Sequence, residues 1–293
     1  MENLCRDTMT LPDTLQGEYY PSVKQHIVKQ LDEAFTSEKG AGSQPFLERD
    51  NEVLPGLVNP MYPYKYSAPC SSWGYLELSK HEKPDVFIIL GTTEEENIIT
   101  TTDTFTTPID YVRVHHESVT KLKELREDVE EDSQAFIDTH FVQSQLPLLQ
   151  YTFKHSYAEI KILPLLIPKH KYKQASTMIE ELVVDLDIEA TVIAPTNLTK
   201  YGATYNFLPF TQDILPSIKK LDKEMLSLLS SQRIDAFLEK HHSIVHSLDN
   251  PAGLATLYTY TKRHTQHLQK YMTTNDVDGK TKRVVSYASI LIK

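Results

Sequence analysis

Four short apolar runs, at 53–58, 86–90, 160–167 and 190–194, are nearly unbroken by polar residues. A strand with one wet face alternates apolar and polar side chains, so near-continuous runs of this length point to strands covered on both faces. Stretches with helical patterning fall between them, at 71–79, 118–129, 142–153 and 172–184. An earlier helix is marked by Pro21 at a first helical position, then Val23, Ile27, Leu31 and Phe35 four apart, with Gly40 beyond its end. Buried runs alternating with helices predict an α/β fold, a mixed central sheet flanked by helices. The segment 40–45 reads as a flexible connection. In the last third, 214–229, 235–239 and 253–271 read as helices and 283–292 as a closing strand. With no internal repeat and no long linker, a single domain spanning 1–293 is expected.

Composition narrows the function. The formal net charge of −10 comes without a basic stripe, which argues against nucleic acid as a partner. The acidic run at 124–132 is interrupted by Leu125, Arg126 and Val129 and reads as a solvated helix face. Two cysteines, Cys5 and Cys70, build neither a disulfide framework nor a four-thiolate zinc site. The N-terminus has no apolar core of the signal-peptide kind, and no apolar run approaches a membrane span, so a cytoplasmic protein without membrane contact is expected. The N-L-T match at 197–199 is then coincidental as a glycosylation signal. No nucleophile elbow, P-loop or dinucleotide fingerprint is present. His115-His116 and His241-His242 are neighbours that do not face one another on a helix, whereas His264 and His267 share a helical face if one forms there.

An ordered set of motifs carries a resemblance. The runs L-V-N-P-M-Y-P-Y-K-Y-S at 57–67, I-L-G-T-T-E at 89–94, the stretch 140–150 and the stretch 193–202 follow one another across the chain. They resemble the Memo family, relatives of the class III extradiol dioxygenases, whose stretches read A-P-H-A-G-Y-x-Y-S-G, L-G-P-S-H, E-H-S-x-E-x-Q-L-P-F-L and S-S-D-F-S-H-Y-G. Q-G-E-Y-Y-P at 16–21, D-T-F-T-T-P at 103–108, Asn275-Asp276 and S-Y-A at 286–288 resemble further family segments. The resemblance implies a LigB-like α/β fold with its cleft at the strand ends, and a metal held by two histidines and a cysteine. It also implies a protein partner, since bacterial and archaeal Memo-like proteins are often grouped with a radical-SAM protein.

Laid on those motifs, the chain departs from the metal-binding pattern. Met61 stands at the first histidine, Glu94 at the second, and Asn197 and Lys200 at the Asp and His of S-S-D-F-S-H-Y-G. The cysteine position falls on Val245 or, in the other register, on Ser247, with His246 between them. Met61 is either a soft ligand or an apolar filler. A lysine ammonium has no lone pair for a metal, so Lys200 is expected to face Glu94 and form a charge pair in the cleft, the alternative being two ordinary surface charges with Glu94 on a solvated turn. His140 persists where the family has E-H-S, either in the site or as a helix-end histidine, and Gln143 replaces the glutamate that follows. Tyr64 and Tyr66 either line the cleft or pack with satisfied hydroxyls. The expectation is a Memo-like binding or scaffolding protein with no metal cofactor. The alternatives are an iron or copper redox enzyme with a rearranged site using His140, His246, Glu94 and Met61, and a metal-free hydrolase using Glu94 with Lys200.

Overall fold

A computed structural model describes residues 9–137, 139–243 and 248–293. Its frame is one ten-stranded sheet. In chain order the strands are β1 (Gly56–Asn59), β2 (Val86–Thr93), β3 (Ile98–Thr100), β4 (Arg113–Val114), β5 (Val129–Glu131), β6 (Lys161–Pro168), β7 (Ala190–Pro195), β8 (Lys200–Tyr201), β9 (Gln266–Thr273) and β10 (Val284–Ile292). The hydrogen-bonded order is β8-β10-β1-β7-β2-β6-β3-β5, with β9 on the other edge of β10 and β4 beside β6. The four runs singled out in the sequence form its centre: β1, β7, β2 and β6 are mutually parallel. Every residue of β1 and β7 is buried, as strands covered on both faces must be.

The helices that cover the sheet are α1 (Lys24–Thr36), α2 (Tyr64–Leu78), α3 (His116–Leu125), α4 (Leu146–Thr152), α5 (Tyr172–Leu186), α6 (Ile214–Ser230), α7 (Ile234–Ser243) and α8 (Pro251–Tyr260). Helix α1 buries Ile27, Leu31 and Phe35, but it starts after Val23, which is exposed. Phe153, just past α4, packs on Phe87 of β2 with ring centroids 5.5 Å apart. Burying an aromatic side chain of this kind is worth about 1.5–3 kcal/mol.

The last third departs from the sequence reading. The helix expected over 253–271 starts two residues earlier, at Pro251, and stops at Tyr260; β9 follows. Residues of β9 pair antiparallel with β10 from Gln266↔Ile292 to Thr273↔Ser286, and this ladder overrides the helical pattern. His264 and His267 therefore do not share a helix face. Val129, expected within a helix, opens edge strand β5 instead. Among the described residues no helix is long and apolar enough to cross a membrane.

Register decides which strand ends meet. Asn59 pairs with Pro195, so the segments after β1 and β7 leave the sheet side by side. Thr93 pairs with Pro168, so Glu94 and Lys169 leave it together. The last pairing of β2 with β7 is Ile89↔Ile193, and β2 runs on to Thr93. Four residues of strand beyond that level carry the Glu94 turn roughly 13 Å farther along.

Candidate functional site

The C-terminal end of a parallel strand is where α/β folds gather side chains for binding. Here the ends of β1 and β7 open into a cleft of about 430 Å³, lined among others by Tyr19, Met61, Tyr62, His140, Asn197, Lys200, Tyr205, Asp249 and Arg283. Two buried polar brackets hold its floor. Asn59 Nδ2 donates to Gln145 Oε1 (3.1 Å), whose Nε2 donates back to the Pro60 carbonyl (2.9 Å), fixing the turn that presents Met61. Asn250 donates to the carbonyls of Leu90 (2.8 Å) and Pro195 (2.9 Å), clamping β2 to β7. Its Oδ1 accepts from the Gly253 N–H (3.1 Å), which caps α8 with Pro251 at the first helical position. A Cβ on Gly253 would lie 2.5 Å from Asn250, so that cap depends on glycine there. The residue before this cap, Asp249, lines the cleft.

Inside the cleft the charges are arranged around Asp249. Its carboxylate forms an ion pair with Lys200 and accepts from Asn197 Nδ2 at 2.8 Å. The lysine and aspartate side chains are 24% and 19% exposed, so water screens this pair only in part. Because the Asn197 amide nitrogen faces Asp249, its Oδ1 points elsewhere, and that atom is buried with no hydrogen-bond partner among the described residues. With Asn197 itself only 2% exposed, the N-L-T match presents no accessible acceptor.

His140 forms the opposite wall. Its Nδ1 lies 2.7 Å from the Tyr19 hydroxyl. Burial, with help from Asp249 and Glu18, pushes the Tyr19 phenol up to about 12, so it keeps its proton. Burial also pushes the His140 imidazole below its ordinary value, against the pull of Glu18 and Asp249, and favours the neutral ring. The neutral ring meets the phenol in either tautomer, with the hydroxyl donating to Nδ1 or accepting from Nδ1–H.

Of the positions singled out in the sequence, Met61, His140, Asn197 and Lys200 line this one cleft. Glu94 does not. Its side chain is 84% exposed and pairs with Lys169 at 2.7 Å, so the expected Glu94–Lys200 pair is replaced by two separate pairs. The cause is the register above: Glu94 leaves the sheet beside Lys169, beyond the level of the cleft floor. Tyr64 is buried and donates to the Ser144 carbonyl at 2.8 Å, a packing role. Tyr66 lines an adjoining chamber, its ring 5.8 Å from that of Tyr62. Gln143, at the glutamate position, is buried and bridges Pro12 and Thr14, a strut between segments. Val245, Ser247 and His246 lie outside the described residues.

Sequence reasoning passed over Tyr19, Asp249, Tyr205 and Arg283. Tyr19 lies within the 16–21 motif, and Asp249 precedes an N-P-A-G helix start, a signal that was available. Nothing local marks Tyr205 or Arg283, which converge only through the β8–β10 pairing.

Compared with known proteins, the chain matches the family model described as Memo-like protein over residues 12–291. This chain belongs to the Memo family. It is 25% identical over 281 residues to a MEMO1 family protein of Methanopyrus kandleri, covering 94% of this chain and 96% of that one. It is 27% identical over 288 residues to a MEMO1 family protein of Thermotoga neapolitana, covering 94% and 97%. A crystal structure of an uncharacterized protein from Escherichia coli K12 aligns with a TM-score of 0.49 at 13% identity, over 82% of this chain and 100% of that chain.

Membership in the Memo family raises the question of a metal. Among the described residues no group of three His, Cys, Asp or Glu side chains is placed to hold one. Within the cleft, Lys200 brings an ammonium without a lone pair, and the Asp249 carboxylate is shared between that ammonium and the Asn197 amide. Met61 adds a single thioether, and His140 turns Nδ1 to Tyr19. This set of described donors does not fit a transition-metal centre, which needs several imidazole, thiolate or carboxylate ligands on one point.

Proposed function

We propose that this Memo-family chain is a non-catalytic binding protein, with an internal ion pair in its cleft in place of a metal. The observation that carries the reading is the Lys200–Asp249 pair, which puts an ammonium, balanced by its own carboxylate, among Met61, Asn197 and His140. The Memo resemblance implies histidines at Met61 and Lys200; with methionine and an ammonium there, the described cleft residues offer a cation neither a ligand set nor an electrostatic vacancy. The polar brackets at Asn59 and Asn250 keep the cleft open and shaped although the ligand identities differ. A cleft of about 430 Å³ falls in the size range of small-molecule sites.

The test is a calorimetric titration of untagged, chelator-treated protein with iron(II), copper(I) and zinc(II). The unaltered chain should show no stoichiometric binding at micromolar metal. The Met61→His/Lys200→His variant should gain affinity for at least one of the three. Tight one-to-one binding by the unaltered chain would overturn the reading.

A further inference from the structure

We infer that the cleft and the chamber beside it form one elongated site for a small ligand carrying an oxyanion, a carboxylate or a phosphate, anchored on Arg283. The inference deepens the binding reading above and rests on it in one respect, a cleft whose positive charge is supplied by side chains.

The adjoining chamber has about 490 Å³ and shares Tyr19, Tyr62 and Arg283 with the cleft. Arg283 stands on the partition and is held from two sides. Its Nε donates to the Tyr205 hydroxyl at 3.0 Å and one terminal nitrogen to the Tyr62 hydroxyl at 3.4 Å. The Tyr205 ring lies under the guanidinium carbon, 5.2 Å from centroid to carbon. These contacts orient the fork without neutralising it, because both partners are phenols and burial keeps the Tyr62 phenol protonated. Among the described residues Arg283 meets no carboxylate.

Two more cations line the same chamber: Lys65, whose ammonium lies 5.6 Å from the centroid of the Tyr66 ring, and Lys280. Two carboxylates face them. Asp278 Oδ1 accepts from the Lys280 backbone N–H at 3.0 Å, and Glu18 lines both chambers. Three cations against two acids is a local excess of positive charge in a chain of net charge −10. Such an excess in a partly enclosed chamber attracts and orients an anion.

At the cleft end, His140 and Lys200 line the wall beyond Arg283. The chemistry recognised is therefore an anionic head, a carboxylate or a phosphate, on Arg283 with the rest of the ligand reaching into the cleft.

The experiment is calorimetric titration in chloride buffer at constant ionic strength, with and without EDTA, using inorganic phosphate, malate and succinate as separate probes. Phosphate or malate should bind saturably at one site, equally with and without EDTA. If the carboxylate is the recognised head, malate and succinate should both saturate; if phosphate is, neither should. Arg283→Gln should weaken binding by ~10-fold or more, the scale of one lost charge-assisted hydrogen bond. Lys65→Gln/Lys280→Gln, which leaves the Arg283–tyrosine contacts intact, should weaken it by a smaller factor. The proposal is overturned if no probe saturates, if Arg283→Gln binds as tightly as the unaltered chain, or if binding vanishes with EDTA. The last result would also sink the metal-free reading; the first two would leave that reading standing.

Discussion

Two lysine–carboxylate pairs stand at the same end of the parallel sheet, and they differ in almost everything except chemistry. Lys200–Asp249 sits in the cleft with side chains 24% and 19% exposed, and Asn197 also bonds the aspartate. Lys169–Glu94 sits on the rim with side chains 44% and 84% exposed and, among the described residues, no further partner for Glu94. The sequence supplied one residue of each pair, Lys200 and Glu94, as a single expected pair. Strand register separates them: Glu94 leaves the sheet beside Lys169, while Lys200 meets Asp249 on the segment entering α8. The energetic consequence of a charge pair is set by its burial, so the two should respond very differently to mutation.

The largest effect belongs to the cleft pair. Lys200→Met should lower stability by about 2–4 kcal/mol, because it leaves the Asp249 carboxylate partly buried with, among the described side chains, the Asn197 amide alone to meet it. Lys200→Met/Asp249→Asn should be milder than the sum of its single changes, measured by urea unfolding. Additive effects would show that the two groups do not interact. An intermediate effect is expected at the other wall: Tyr19→Phe should cost about 1 kcal/mol through loss of the hydrogen bond with His140 Nδ1. The smallest belongs to the rim, where Glu94→Gln should change stability by less than about 1 kcal/mol, with any effect fading in high salt. A rim pair as costly to break as the cleft pair would remove the distinction.

The same contrast has a pH signature. Burial lowers the His140 value below 6.5, so in the window between its folded value and 6.5 the unfolded chain holds the extra proton. Stability contributed by the neutral ring is therefore present above that window and is lost as pH falls through it. His140→Gln should shrink the stability loss seen on lowering pH from about 8 to about 5. His115 and His241, lowered by burial in the same direction, keep their share in that variant. An unchanged pH slope would mean that the His140 ring is not held neutral.

The central sheet was legible because its strands are apolar on both faces, a signal that survives without any partner information. The end of β7 was legible too: Asn197 and Lys200 belong to a motif that directly follows a buried run. What escaped the sequence was set by distant pairing. Arg283 reaches Tyr205 and Tyr62 because β8 pairs with the start of β10, and no local pattern encodes that. β9 escaped for a related reason: its early residues are mostly exposed, so its strand character comes from β10 alone. Glu94 shows the opposite failure, a correctly read turn whose height above the sheet depended on how far β2 runs past β7.

The central claim is that a side-chain cation occupies the place of a metal in this cleft. Elemental analysis of protein purified without a histidine tag and dialysed tests it most directly, because it includes every residue of the chain. The account predicts iron, copper and zinc each well below one equivalent. One tightly held equivalent per chain would contradict it and show that ligands beyond the described cleft residues complete a metal site.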